Sequence, residues 1–147
     1  MLPDALYGRD EPIARMMETF GRTSAGGRDL LLVAGYSGIG KSALVRQIRR
    51  PVALAHGYYV EGKFEELQRD YPYLAIVQAL RDLVRQILGE GRERLDRWRT
   101  RLTEALGVNA GVVQDVVPEL ALVIGPQPPA PALPPVEAQN RFQLVMT

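Results

Sequence analysis

The chain has 147 residues, a net charge of +1 and 46% hydrophobic composition, which fits one globular domain or less and carries no bias toward a nucleic-acid or anionic-membrane partner. With no cysteine and a single histidine, His56, it excludes disulfides, thiolate chemistry, Cys-ligated zinc and any His-based metal cluster or triad. The first residues lack the charged-then-apolar pattern of a signal peptide, and no apolar run approaches roughly 18 residues, the length of a membrane span, so a cytoplasmic protein is expected.

Residues 11–22 place Ile13, Met16, Met17 and Phe20 at helical spacing, with Asp10 as N-cap and Pro12 at the first helical position. A loop rich in Gly and Ser, 23–28, leads to Asp29-Leu30-Leu31-Leu32-Val33-Ala34. This short apolar run reads as a strand buried on both faces of a parallel sheet. It is followed at once by Gly35-Tyr36-Ser37-Gly38-Ile39-Gly40-Lys41-Ser42, which has the G-x-x-x-x-G-K-S spacing of a phosphate-binding P-loop.

The chemistry explains the spacing. Glycines let the backbone curl so that successive N–H groups point inward at an anion, and the helix start behind them adds its positive dipole end. Lys41 is expected to reach the β- and γ-phosphates, and Ser42 to offer its hydroxyl to the Mg²⁺ that travels with a nucleotide. A chance match in so short a chain is on the order of one in a hundred, given that Gly usage averages about 7%. The chain uses sixteen Arg and two Lys, yet a Lys stands in the motif, where a compact ammonium on a flexible stem is needed. The bland alternative, a Gly-rich turn without ligand, would not require Lys-Ser after the last glycine.

Downstream, Leu44, Val45 and Ile48 continue as a helix from Ser42 to Arg50. Tyr58-Tyr59-Val60-Glu61-Gly62 reads as a second strand, and 63–72 as loop. Leu74, Val77, Leu80, Val84, Ile87 and Leu88 form the apolar stripe of a helix over 73–88. After Gly89 and Gly91 a second helix carries Leu95, Trp98, Leu102 and Leu106 on one stripe. Its five arginines, from Arg92 to Arg101, are interleaved with Glu93, Asp96 and Glu104, the pattern of a solvated face rather than a nucleic-acid surface. Gly107 ends that helix, and Asn109 caps a short one through Val117. Pro118 opens an apolar segment, 119–124. Residues 126–135 hold six of the eleven prolines and are expected to be an extended connector, with a last helix starting at Pro135.

P-loop ATPases pair this loop with an apolar strand ending in acid, and none is visible. Leu120-Ala121-Leu122-Val123-Ile124 ends in Gly125-Pro126, and in Val112 to Asp115 a helical reading competes. Two strands are placed, whereas a doubly wound sheet needs about five. The expected fold is therefore α/β, a three-layer αβα P-loop NTPase with a parallel sheet, incomplete in this chain and helix-rich after its second strand. Exposed apolar surface, an open sheet edge and self-association are expected to accompany it.

Leu6-Tyr7-Gly8-Arg9-Asp10-Glu11 resembles the Y/V-G-R-E box of AAA-type and STAND signal-transduction ATPases, including origin-recognition-like ones. Glu61-Gly62-Lys63-Phe64, Tyr71-Pro72-Tyr73, Val117-Pro118-Glu119-Leu120, Gly125-Pro126-Gln127-Pro128 and Glu137-Ala138-Gln139-Asn140-Arg141-Phe142 are similar to the ATPase module of large bacterial hybrid serine/threonine and histidine kinases. The resemblance implies ATP and Mg²⁺ as ligands, Gly8 and Arg9 near the nucleotide, other domains of a longer parent protein as partners, and a nucleotide-dependent switch. It divides the chain into 1–125, the N-terminal part of the ATPase domain, 126–135, a connector, and 136–147, a further helix of the same domain. Hydrolysis is not expected of these residues alone. An ATPase module of a DNA-binding regulator and a non-catalytic interaction fragment remain the alternatives.

Overall fold

Helices supply all the regular structure among the described residues, which are 9–64 and 73–145 of the computed structural model. The chain divides into two compact units, 1–59 and 60–147.

In the first unit, α1 spans Asp10–Ser24. It begins two residues before Pro12, with Arg9 rather than Asp10 at the N-cap position and Asp10 and Glu11 in the first turn, where their charge suits the dipole. Met16 is its buried residue. At the other end Arg22 Nε donates to Asp29 at 2.8 Å and ties the helix to the apolar run that follows. After the glycine loop, α2 (Lys41–Arg46) and α3 (Arg49–Leu54) stand where one helix was expected, separated by a turn at Gln47-Ile48. Pro51 explains the break: it lies within α3, has no N–H to give and crowds the carbonyl of Gln47. His56 follows α3 with a left-handed φ of 53°, just past the helix end.

The expected parallel sheet is absent, since no strand occurs among the described residues. Asp29–Ala34 runs as irregular chain with Leu30 96% and Leu32 87% exposed, and 58–62 is irregular as well. The cause is the non-local nature of strands. A β-prone apolar run becomes a strand only when a neighbour supplies ladder partners, and neither run forms a ladder among the described residues. The exposed apolar surface is present; among the described residues there is no sheet and so no open sheet edge.

The second unit is a helical cluster. Its α4 (Leu74–Leu88) packs on α5 (Arg92–Leu106), on α7 (Ala121–Ile124) and on a 3-10 turn at Pro118–Leu120, while α6 (Ala110–Val116) packs on α8 (Pro135–Val145). The predicted stripe of α4 is the one that is buried: Val84 and Ile87 face inward, Ile87 with no exposed surface. Val117, Leu120 and Val123 complete this core, so the apolar run 120–124 is a helical turn that buries Leu120 and Val123 and leaves Leu122 exposed. The i, i+3 spacing of buried Leu120 and Val123 is that of a helix, since in a strand they would point to opposite faces, and Pro118 stands at the first position of the turn. Arg81 donates from Nε and Nη2 to the Val116 carbonyl at 3.2 and 2.9 Å, and Arg99 Nε donates to Val123 at 2.8 Å, satisfying helix-end carbonyls that would otherwise be orphaned. Trp98 is half-buried on α5.

The proline-rich stretch is extended but held down. Gln114 Nε2 donates to the Gly125 carbonyl and its Oε1 accepts from the Gln127 amide, both at 2.9 Å. Gly111 lies so close to the Pro128 carbonyl that a Cβ there would collide with it. Farther on, Arg141 Nη1 donates to the Pro131 carbonyl at 2.8 Å, and Phe142 meets the Tyr73 ring at 5.6 Å between centroids.

Candidate functional site

The loop between the apolar run and α2 is shaped by its glycines. Gly38 and Gly40 have φ of 78° and 88°, a left-handed region that side chains disfavour, and between them the chain reverses so that Ile39 N–H reaches back to the Tyr36 carbonyl at 3.4 Å. Gly40 is the N-cap residue of α2, and the first helical bond runs from Leu44 N–H to the Gly40 carbonyl at 3.0 Å. Among the described residues, the amides of Gly38, Gly40, Lys41, Ser42 and Ala43 donate to no carbonyl. A row of unpartnered N–H groups on a left-handed turn at a helix start is an anion-binding concavity.

Two cations address the loop's carbonyls. Lys41 folds back so that Nζ donates to Gly35 and Tyr36, both at 2.8 Å. The guanidinium of Arg9 donates to the Ile39 carbonyl and lies 3.4 Å from the position a Cβ would take on Gly40. Lys41 and Gly40 are half-buried, Tyr36 is 87% exposed, and the exposed Ser42 hydroxyl makes no hydrogen bond to a described residue. The structure thus brings Gly35 to Ser42 together with Arg9, while Gly8 lies outside the described residues, as do Leu6, Tyr7, Tyr71 and Pro72 of the family-like boxes.

Beside the loop is an open cavity of about 460 Å³, within the ordinary range of small-ligand pockets. Met16 and Leu44 form part of its apolar wall, and Arg9 and Lys41 part of its polar side. Met16 and Leu44 were legible in sequence only as core positions; nothing in their spacing says that they adjoin the loop.

The site's residues fit a nucleotide's phosphates and its magnesium in one respect each: free amides for the phosphates and a free Ser42 hydroxyl for the metal. Among the described residues no group of three or more His, Cys, Asp or Glu side chains is arranged to hold a metal by itself. Lys41 does not extend into the concavity as the motif implies; its ammonium is taken up by the loop's own carbonyls at Gly35 and Tyr36. Among the described residues no helix is long and apolar enough to cross a membrane.

Residues 5–147 match the family model described as AAA ATPase domain. The chain is 34% identical over 143 residues to hybrid signal transduction histidine kinase G of Dictyostelium discoideum, covering 97% of this chain and 4% of that protein. It is 26% identical over 125 residues to histidine protein kinase 1 of Candida albicans, covering 84% of this chain and 5% of that protein. The chain therefore spans a small part of the length of these curated relatives. No solved structure matches it.

Proposed function

The chain belongs to the AAA ATPase domain family, and on that premise we propose that Gly35 to Ser42 hold the phosphates of Mg-ATP in a module whose nucleotide state is read by the rest of a multi-domain signalling kinase. The observation that carries the reading is the row of free amides from Gly40 to Ser42, with the Lys41 ammonium parked 2.8 Å from the loop's own carbonyls. Those contacts are exchangeable. A triphosphate offers Lys41 stronger, charged acceptors, so the ammonium swings from Gly35 and Tyr36 to the β- and γ-phosphates while the amides take the oxygens they face. Ser42 would hold Mg²⁺ through its hydroxyl, and the ion would neutralise phosphate charge.

The same proposal reads the module as a STAND-type, origin-recognition-like switch in a cytoplasmic parent akin to bacterial hybrid kinases, with 1–125 and 136–147 as parts of one ATPase domain joined by 126–135. The two relatives named as histidine kinases support a kinase setting over the DNA-binding regulator. Titration with Mg-ATP tests the site: binding by the unmodified chain that Lys41→Ala abolishes supports it, and equal affinity of the two proteins sinks it.

A further inference from the structure

The peptide unit joining Ile39 to Gly40 carries one carbonyl and one amide, which point in opposite directions because a trans peptide is planar. Arg9 donates to that carbonyl. Ile39 precedes the Gly40 N-cap, so its carbonyl takes no helical bond; the first one is Leu44 N–H to Gly40, and the Ala43 amide, like others of the first turn, finds no carbonyl among the described residues. Arg9 holds this outward carbonyl, and the opposite face of the same peptide is thereby fixed. The Gly40 amide is left pointing away from the guanidinium, alongside those of Lys41 and Ser42. The guanidinium also lies flat enough against Gly40 that a Cβ would stand 3.4 Å from both its terminal nitrogens.

We propose that Arg9 is a positioning residue for the glycine loop: it acts on the phosphates through the Ile39–Gly40 peptide, by aiming the Gly40 amide, and not by touching them. The inference rests on the phosphate-binding reading above. It separates the two cations of the loop. Lys41 holds Gly35 and Tyr36 and gives them up when an anion arrives; Arg9 holds Ile39 and keeps it, so the loop retains its shape while its lysine is away. Arg suits this task better than Lys, since a planar fork of donors can hold a carbonyl and cover a glycine at once.

The experiment compares the unmodified 147-residue chain with Arg9→Ala and Arg9→Lys, using Mg-ATP, Mg-ADP and adenosine as probes, together with amide spectra of the ¹⁵N-labelled proteins without nucleotide. An aimed amide grips the phosphates common to both nucleotides. Arg9→Ala should therefore weaken ATP and ADP by the same factor, about tenfold for one charge-assisted hydrogen bond, and leave adenosine unaffected. Arg9→Lys, which keeps a donor, should recover most of the loss. In the free protein the Gly40 and Lys41 amide resonances should move in Arg9→Ala while those of α4 stay in place.

A loss confined to ATP would mean that Arg9 contacts the terminal phosphate and would overturn the inference, as would unchanged affinity in Arg9→Ala. Failure of the unmodified chain to bind either nucleotide sinks the functional reading, and the amide spectra then decide this inference alone: Gly40 and Lys41 resonances that do not respond to Arg9→Ala overturn it.

Discussion

The Lys41 ammonium lies 2.8 Å from the Gly35 carbonyl, across the full width of the glycine loop, and makes an equal contact with Tyr36. One side chain thereby ties the end of the loop to its beginning. Lys41→Met keeps the stem and removes the charge. It should lower Mg-ATP affinity by at least about tenfold, the value of one hydrogen bond to a charged group, and speed hydrogen exchange of the Ile39 amide, which donates to the Tyr36 carbonyl that Lys41 holds. Unaltered exchange would show that the lysine does not brace the loop.

Ile87 is wholly buried where α4 faces α7 and the turn at Pro118–Leu120. Truncation leaves a cavity that packed helices cannot collapse, so Ile87→Ala should cost about 2–5 kcal/mol and Ile87→Val about 0.5–1.5 kcal/mol by chemical denaturation. Similar midpoints for both variants would mean that the second unit's core is loosely packed.

Glu119 is held below the usual carboxylate range by its own backbone amide and by Arg81 and Arg85, with Oε1 3.3 Å from Arg85 and Oε2 3.7 Å from Arg81. A lowered folded-state value means that the unfolded chain binds its proton first. The stabilisation is therefore complete above the ordinary Glu value, about 4.3, and disappears as pH falls below that toward the lowered one. Melting curves from pH 6 downward should show the unmodified chain losing an advantage over Glu119→Gln in that window; parallel curves would remove the ion pair from the account.

Leu30 and Leu32 are 96% and 87% exposed. Replacing both with Glu removes apolar surface that water meets in the isolated chain and disturbs no packing, so thermal stability should change by no more than about 0.5 kcal/mol while sedimentation shifts toward monomer. A large loss of stability would show that this run is packed in solution.

These same leucines mark the limit of what could be read in advance. The helices α4, α5 and α8 were legible because helical periodicity is local: the spacing of Val84, Ile87 and Leu88 carries its own geometry. Asp29–Ala34 was misread as a strand because pairing is decided by a distant partner that no local pattern names. At the loop, glycine placement and the Lys-Ser pair were legible to the residue. That Arg9, thirty positions upstream of Ile39, reaches its carbonyl was not, since the contact is made by tertiary placement of α1. The collision awaiting any side chain at Gly111 was equally silent, as nothing in a sequence reports where a remote carbonyl will lie.

Gly111→Ala tests that contact. A methyl there meets the Pro128 carbonyl, a backbone atom that cannot rotate aside, so the helix or the proline stretch must shift. The expected result is destabilisation of about 1–3 kcal/mol, as for overpacked cores, with the Gln127 amide losing its protection from exchange. A neutral outcome would mean that the stretch moves freely.

The hydrogen bonds from Gln114 to both sides of Pro126 turn what would be a tether into a lever arm. Swinging the proline stretch away requires rupture of two bonds at one side chain, and α8, anchored at Pro131 through Arg141, must travel with it. Torque applied at α8 would accordingly be felt at α6, a span of sequence that composition alone would have marked as slack.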